Sequence, residues 1–385
     1  MKKLSMVFVL LYMTFFFASC RLGGDFSSAD AEPAFHDSGL EKLFTDFASG
    51  PDNIHHLALI AQIVTPSFRW NFAYGNSSLA PAASATPSMK FRIASVSKTF
   101  TAAAICLLVQ EGRLSFDDTI DKWAPAEFAG KIPNATRMTI RQILQHRSGM
   151  DDYDEMGVMI PKALSQPDVP VSPEFSINEG LKGSPKADPG VEYRYSNPGY
   201  VLLSRVIDKA SGVGYENFLQ TRIFEPLGLK NTSIPKERSI NGPHMRCLMD
   251  SNKDGSLEDY TDYYLDWDRG AGDLVGTCED LNTFHQTLRS GGFFTPPVRS
   301  EFFGFLETVN TDLSVQSYSL GYLQTVLKPS GIHIFGHSGG YPGSITIMYY
   351  IQEANAFVSL NTNIWDLSLS SLVKDVADYL IKKSQ

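Results

Sequence analysis

The sequence predicts an α+β fold: an antiparallel sheet flanked by helices, with a mainly helical second lobe. Three observations predict it. Strand-like runs gather near the two ends of the chain, they are spaced for short antiparallel turns, and the stretch between them, roughly residues 114–270, is rich in Pro, Gly and short helical patterns. With 385 residues and 43% hydrophobic side chains, the chain can bury one large core or two ordinary ones.

The elements follow in order. Lys2 and Lys3 precede an apolar run from Leu4 to Phe17 that ends in Ala18, Ser19 and Cys20, the layout of a secretory signal. The run is shorter than the roughly 20 residues a membrane span needs. Its FASC ending resembles a bacterial lipobox with Phe17 in place of the usual leucine, which would make Cys20 the lipidated mature N-terminus. Residues 1–20 are therefore expected to direct export to the cell envelope, 21–38 to form a polar tether, and 39–385 to fold. LALIAQIVTPSFRWNFAYG alternates about Thr65-Pro66-Ser67 as a hairpin. Ser97 to Glu111 reads as a buried helix capped by Gly112. TIRQILQH and GYVLLSRVIDKASG carry helical patterns in the middle stretch. Strands return in YSLGYLQTVL, GIHIFGHSGG, SITIMYYIQ and AFVSLNTN, before an amphipathic helix from Leu367 to Lys383.

Several function classes drop out. A net charge of −9 argues against a polyanionic partner such as nucleic acid. After export three cysteines remain, Cys106, Cys247 and Cys278. This odd number builds no disulfide framework, although Cys247 and Cys278 are left as a possible pair. Neither CxxC nor a histidine cluster with ligand spacing is present, so no metal is expected. DSNKDGSLEDYT resembles a calcium loop, but its twelfth position is Thr261 where glutamate is needed. A turn at Asn252 to Gly255 is the better reading.

Three short constellations carry chemistry. In FRIASVSKTFTA, Ser95 and Lys98 lie three apart at the mouth of an apolar helix and share a face. A serine hydroxyl needs a neighbour to take its proton, and a lysine does so where burial lowers its pKa. The helix dipole there favours an oxyanion. In YRYSNPGY, Tyr195 and Asn197 bring a phenol and an amide from one loop. A second triplet of the same form, Tyr215-Glu216-Asn217, opens an amphipathic helix and reads as structural. In GHSGGYPGS, His337 and Ser338 precede Gly339 and Gly340, which would let a substrate approach the backbone.

The order SVSK, YSN, HSG resembles the serine β-lactamase and penicillin-binding superfamily, in its branch of class C β-lactamases, D-alanyl-D-alanine carboxypeptidases and esterases. ILQHRSGM, IFEPLGLKNTS and AGDLVGTCEDL support the resemblance across nearly all of the mature chain. It implies a β-lactamase/transpeptidase-like fold. It also implies Ser95 as the acylated nucleophile, Lys98 and Tyr195 sharing the proton work, and Asn197 binding the substrate amide. His337, Ser338 and Gly339 would form the substrate-binding triplet, and the backbone N–H groups of Ser95 and Gly340 the oxyanion hole. The implied function is first a D-alanyl-D-alanine carboxypeptidase-like, β-lactamase-related hydrolase acting on a peptidoglycan-type peptide, and as the alternative an esterase or amidase acting on a small acyl compound, with no cofactor.

Two departures follow. His337 stands where β-lactamases usually carry lysine, and a histidine is largely neutral near pH 7, so anchoring of a substrate carboxylate should weaken. No Glu-x-x-Leu-Asn segment of the class A kind is present. A non-catalytic binding protein of the same fold would have lost Lys98 or Tyr195, and both are present. His146 in QHRSGM is expected to be structural and away from the chemistry. Asp151, Asp152 and the acidic residues from Asp262 to Asp268 are expected to be solvated, and Tyr263, Tyr264 and Trp267 are candidates for a pocket rim.

Overall fold

The computed structural model describes residues 35–50, 58–79, 81–153, 168–183, 185–364 and 369–384, with 162 and 165 besides. The expected export segment at 1–20, its Cys20, and the tether as far as residue 34 lie outside them.

Strands from both chain ends make one antiparallel sheet. Its members are β1 (Leu59–Val64), β2 (Arg69–Tyr74), β3 (Leu306–Asn310), β4 (Ser314–Tyr318), β5 (Leu323–Leu327), β6 (His333–Tyr341), β7 (Ser344–Ile351) and β8 (Ala356–Thr362). Their order is β2-β1-β8-β7-β6-β5-β4-β3. The predicted hairpin supplies β1 and β2, and β1 pairs with β8 from Leu59↔Thr362 to Val64↔Phe357, closing the two ends of the chain on each other.

The helices that matter to the site or to the sheet are α1 (Ser38–Ala48), α2 (Ser97–Gln110), α3 (Ile140–Leu144), α4 (Asn197–Ser211), α5 (Cys278–Ser290) and α6 (Ser370–Ser384). One apolar cluster joins the outer sheet face to α1 and α6 through Leu40, Phe44, Ile347, Val376 and Leu380. A larger one joins the inner face to α2, α4 and α5 through Phe100, Leu108, Val201, Phe284 and Met348. Helix α2 is buried from Ser97 to Leu108, which explains why its sequence is apolar on every side.

Some elements were not expected. Helix α1 is capped by Asp37, whose carboxylate accepts the N–H groups of Gly39 and Leu40 at 3.0 Å. Tyr379 and Lys383 of α6 donate to the same carboxylate. Burial alone would raise its pKa, and the bonds from Lys383, Tyr379 and Leu40 outweigh that and hold it at about 2. The fold is thus engaged from Asp37, inside the stretch expected to be tether.

The run YSLGYLQTVL, expected as one strand, is the end of β4, a break at Ser319–Tyr322, and then β5. The break exists because Gly321 (φ +64°) presses on α2. A Cβ there would lie 2.6 Å from that of Ala102 and 2.8 Å from the Lys98 carbonyl oxygen, and Thr99 donates to the Gly321 carbonyl at 2.8 Å. The middle of the chain is helical and irregular as expected. Leu248–Met249 pairs with Glu258–Asp259 across the predicted turn. Cys106, Cys247 and Cys278 are buried and free.

Candidate active site

Ser95 sits in a short 3-10 turn, Ala94–Val96, that runs into α2. Ala94 takes φ +46°, a left-handed conformation uncommon outside glycine, and Ser95 is partly exposed between buried neighbours. Strand β6 lies directly against this turn. Gly339 allows it: a Cβ at 339 would stand 2.3 Å from the Ile93 carbonyl oxygen and 2.8 Å from the Ser95 nitrogen. This corrects the expectation for Gly339, since the close approach it permits is that of the protein's own backbone. Strand β5 pairs with β6 only as far as Gly336. The β6 edge from His337 to Gly340 is therefore open toward the turn, and Gly340 is exposed.

Lys98, fully buried in the first turn of α2, has its Nζ 3.0 Å from Ser95 Oγ. The same nitrogen donates to Asn197 Oδ1 at 2.6 Å and to the Ala271 carbonyl at 2.8 Å, and it lies 4.9 Å from the centre of the Tyr195 ring. SVSK and YSN therefore meet around one ammonium, although 99 residues separate Lys98 from Asn197.

Asn197 opens α4 and is buried. Its Nδ2 donates to Asp152 Oδ1 at 3.2 Å and its backbone N–H to the same oxygen at 3.3 Å. Carboxylate oxygens only accept here, so Asp152 orients the Asn197 amide with its oxygen toward Lys98. The expectation of solvated charges fails for Asp152, which is 5% exposed, and for Asp268, which accepts from the buried Tyr153 hydroxyl. Trp267 is no rim residue either; it is buried against Tyr153 with ring centroids 5.6 Å apart.

The HSG segment is rearranged relative to the expectation. His337 is 4% exposed, its Nε2 is 2.9 Å from the Tyr318 hydroxyl and its Nδ1 2.6 Å from the Ser338 carbonyl. The carbonyl only accepts, so Nδ1 carries the proton and Nε2 receives the phenol. Burial, then the nearby Lys98 charge, lowers its pKa to about 3 against the opposing bond to Ser338. His337 is a neutral ring with both nitrogens committed inside the protein. Ser338 turns to the outer face, where it joins Ile347 and Tyr349 along a groove.

His146 is structural but close to the chemistry, which corrects its expected remoteness. It follows α3, takes φ +55°, is 1% exposed, and packs on Tyr195 with ring centroids 4.1 Å apart. Tyr200 and Tyr318 stand at 5.0 and 4.8 Å. Burial, then Lys98 and His337, drives its pKa well below the ordinary range. Neither Asp152 nor Tyr318 is marked by any motif in the sequence. The one available signal was that QHRSGMDD is short, polar and placed between apolar segments.

The fold and this constellation define the class as the β-lactamase and penicillin-binding type. The chain belongs to the beta-lactamase family, whose profile covers residues 60–377. Among relatives, it is 31% identical to Penicillin-binding protein 4* of Bacillus subtilis over 310 residues, 76% of this chain and 64% of that protein. It is 26% identical to Protein flp of Staphylococcus aureus over 55% of this chain and 41% of that one, so it spans less than two thirds of either relative. Among solved structures, a D-stereospecific amidohydrolase from Streptomyces sp. superposes with a TM-score of 0.78 at 23% identity, covering 88% of this chain and 98% of its own. The D-amino acid amidase of Ochrobactrum anthropi gives 0.73 at 23% identity, covering 90% and 99%. These structural likenesses establish the fold. No described helix is long and apolar enough to cross a membrane.

Proposed function

We propose that the protein is an exported hydrolase that cleaves an amide or ester through an acyl-enzyme on Ser95. The observation that carries this is the 3.0 Å separation of Lys98 Nζ and Ser95 Oγ, with Asn197 and Ala271 fixing the nitrogen from the other side. Once neutral, Nζ keeps two hydrogens for those two carbonyl oxygens and turns its lone pair to the Ser95 hydroxyl. The serine oxygen attacks the acyl carbon, its proton passes to the Lys98–Tyr195 pair, and Tyr195 returns a proton to the leaving group. Ser95 and Gly340 offer backbone N–H groups to the developing oxyanion, the first of them at the mouth of α2. Water, activated by the same pair, then releases the acyl group.

The acyl donor is a D-alanyl peptide of the cell wall or a small amide or ester. The commitment of both His337 nitrogens favours the second, because a peptide with a free terminal carboxylate gains no cation from that position. The D-stereospecific amidohydrolase and amidase among the structural neighbours agree with an amide substrate. Envelope localisation through a lipid on Cys20 belongs to the same proposal and rests on the sequence alone.

The test is a hydrolysis panel of nitrocefin, a p-nitrophenyl ester, a D-amino acid amide and a D-alanyl-D-alanine peptide, with intact-mass analysis after a fluorophosphonate. One adduct, on Ser95, is expected, with the ester or amide turned over fastest. Absence of any adduct at Ser95 would remove the proposal.

A further inference from the structure

We infer that the loop from His146 to Asp152 is a template that positions the Tyr195–Asn197 segment, with His146 and Asp152 as its positioning residues. The inference rests on the acyl-enzyme reading above and goes beyond it.

Hydrogen bonds to Ser196 and Asn197 join the two segments. The Ser196 N–H donates to His146 Nδ1 at 3.1 Å, the Ser196 hydroxyl donates to the Asp151 carbonyl at 3.1 Å, and the Asn197 N–H donates to Asp152 Oδ1 at 3.3 Å. Each bond falls on the residue between, or on one of, the two groups that meet Lys98. Because Ser196 occupies Nδ1, the ring proton of His146 resides on Nε2, which has no hydrogen-bond partner among the described residues. Protonating the ring would break the Ser196 bond and set a second cation near Lys98, so the imidazole serves as a fixed neutral acceptor. Its left-handed backbone, φ +55°, is the kind of local strain that surrounding structure must hold in place, and such strain gathers at functional sites. Its ring lies against Tyr195 while its acceptor holds the next peptide. Asp152 performs the matching task for Asn197, accepting from Nδ2 so that Oδ1 faces Lys98. Neither residue touches the reacting atoms. They act through the phenol and the amide, where a misplacement of about 1 Å can lower turnover about a hundredfold.

The experiment measures kcat and KM for p-nitrophenyl acetate, and the rate of Ser95 labelling by a fluorophosphonate, in the purified protein. His146→Phe keeps a ring and loses the acceptor. His146→Asn returns an acceptor oxygen near Nδ1 and tolerates the left-handed backbone. We expect His146→Phe to lower kcat and labelling about a hundredfold with KM within twofold, and His146→Asn to recover most of that loss. Wild-type kcat in His146→Phe, or an Asn variant as slow as the Phe one, would overturn the inference. Should His146→Phe fail to fold, Asp152→Asn decides. It has the same shape but lets Asn197 adopt either amide orientation, so a tenfold fall in kcat supports the template and an unchanged kcat removes it. Ser95→Ala separates the two levels: turnover by that variant sinks the acyl-enzyme reading, whereas an inert Ser95→Ala beside a fully active His146→Phe sinks only the template.

Discussion

Two tyrosine-x-asparagine triplets approach α2, one at its mouth and the other a turn further in. Tyr195 is partly exposed, packs on His146 and faces Lys98, while Asn197 holds the Lys98 nitrogen. Tyr215 is fully buried, its hydroxyl 3.0 Å from Thr101 Oγ1, and the Arg269 guanidinium lies 5.0 Å from its ring. Asn217 points away and donates to the Val213 carbonyl at 3.0 Å. Identical spacing therefore yields a site in one place and a tie in the other. What differs is access: the turn at the N-terminal mouth of α2 is partly exposed at Ser95, whereas α2 around Thr101 is buried, and a triplet reaching the mouth can meet a substrate.

The contrast is broken most directly at its centre. Ser95→Ala is expected to lower turnover by roughly 10⁴-fold or more on the best substrate, since the variant loses the hydroxyl that Lys98 Nζ meets at 3.0 Å. Residual activity near wild type, measured at saturating substrate, would mean that the open mouth of α2 has no catalytic meaning. Next in size is the comparison of the two phenols. Tyr195→Phe should slow kcat by roughly 10²- to 10⁴-fold, the range for losing a general acid or base. Tyr215→Phe should leave kcat unchanged and cost about 1 kcal/mol of stability, the net worth of one hydrogen bond, because Thr101 still donates to the Gly270 carbonyl. Equal kinetic effects of the two would show that access does not separate them.

Much of the sheet was legible, because β1, β2 and β6 to β8 alternate or run apolar and are bounded by turn residues. The break in YSLGYLQTVL was not, since it follows from Gly321 meeting α2, a contact between residues 222 positions apart in the Thr99 bond. Ser95, Lys98, Tyr195 and Asn197 could be named from short motifs, and the structure brings all four together. Asp152, Tyr318 and the inward turn of His337 could not. Their placement depends on which buried polar groups find partners, and that is settled only when distant segments pack. His146 shows the intermediate case: its polarity was visible, and its proximity to Tyr195 was not.

The surroundings of Tyr215 offer a smaller test. Arg269 donates to Asp208 at 2.8 Å and to Glu216 at 2.6 and 2.8 Å. Burial alone would raise both carboxyl pKa values, and Arg269 more than reverses this. Arg269→Met leaves the two acids facing each other without their shared partner. Loss of a buried pair's cation costs about 3–5 kcal/mol, but Glu216 is partly exposed and Asp208 keeps Arg205 at 2.7 Å, so about 2 kcal/mol is expected. Urea unfolding measures it, and the rate of Ser95 labelling in the folded variant should be unchanged. A stable variant with slowed labelling would mean that this region reaches the site after all.

Acid distinguishes the regions in a last way. His337 is held neutral with a pKa of about 3, against about 6.5 in an unfolded chain. Between those values the unfolded state binds one more proton at this position than the native state, so stability rises with pH there. The contribution is complete above pH 6.5 and is lost as pH falls toward 3, at about 1.4 kcal/mol per pH unit. The lowered carboxyl groups at Asp208 and Glu216 act in the same direction but only below their ordinary range, near pH 4 and under. Urea unfolding at pH 6, 5.5 and 5 therefore avoids those two carboxyls, and the raised carboxyls of Asp266, Asp273 and Asp280 are common to the wild type and a His337 variant. His337→Asn removes one buried histidine, while His146 and His285, also held neutral by burial, contribute equally to both proteins and cancel. The wild type should lose about 1.2 kcal/mol more than His337→Asn over that single unit, slightly less than the full slope because the unfolded histidine is still partly neutral at pH 6. Parallel slopes would mean that His337 takes up its proton in the folded protein, which would return it to the role of a cation for substrate carboxylates.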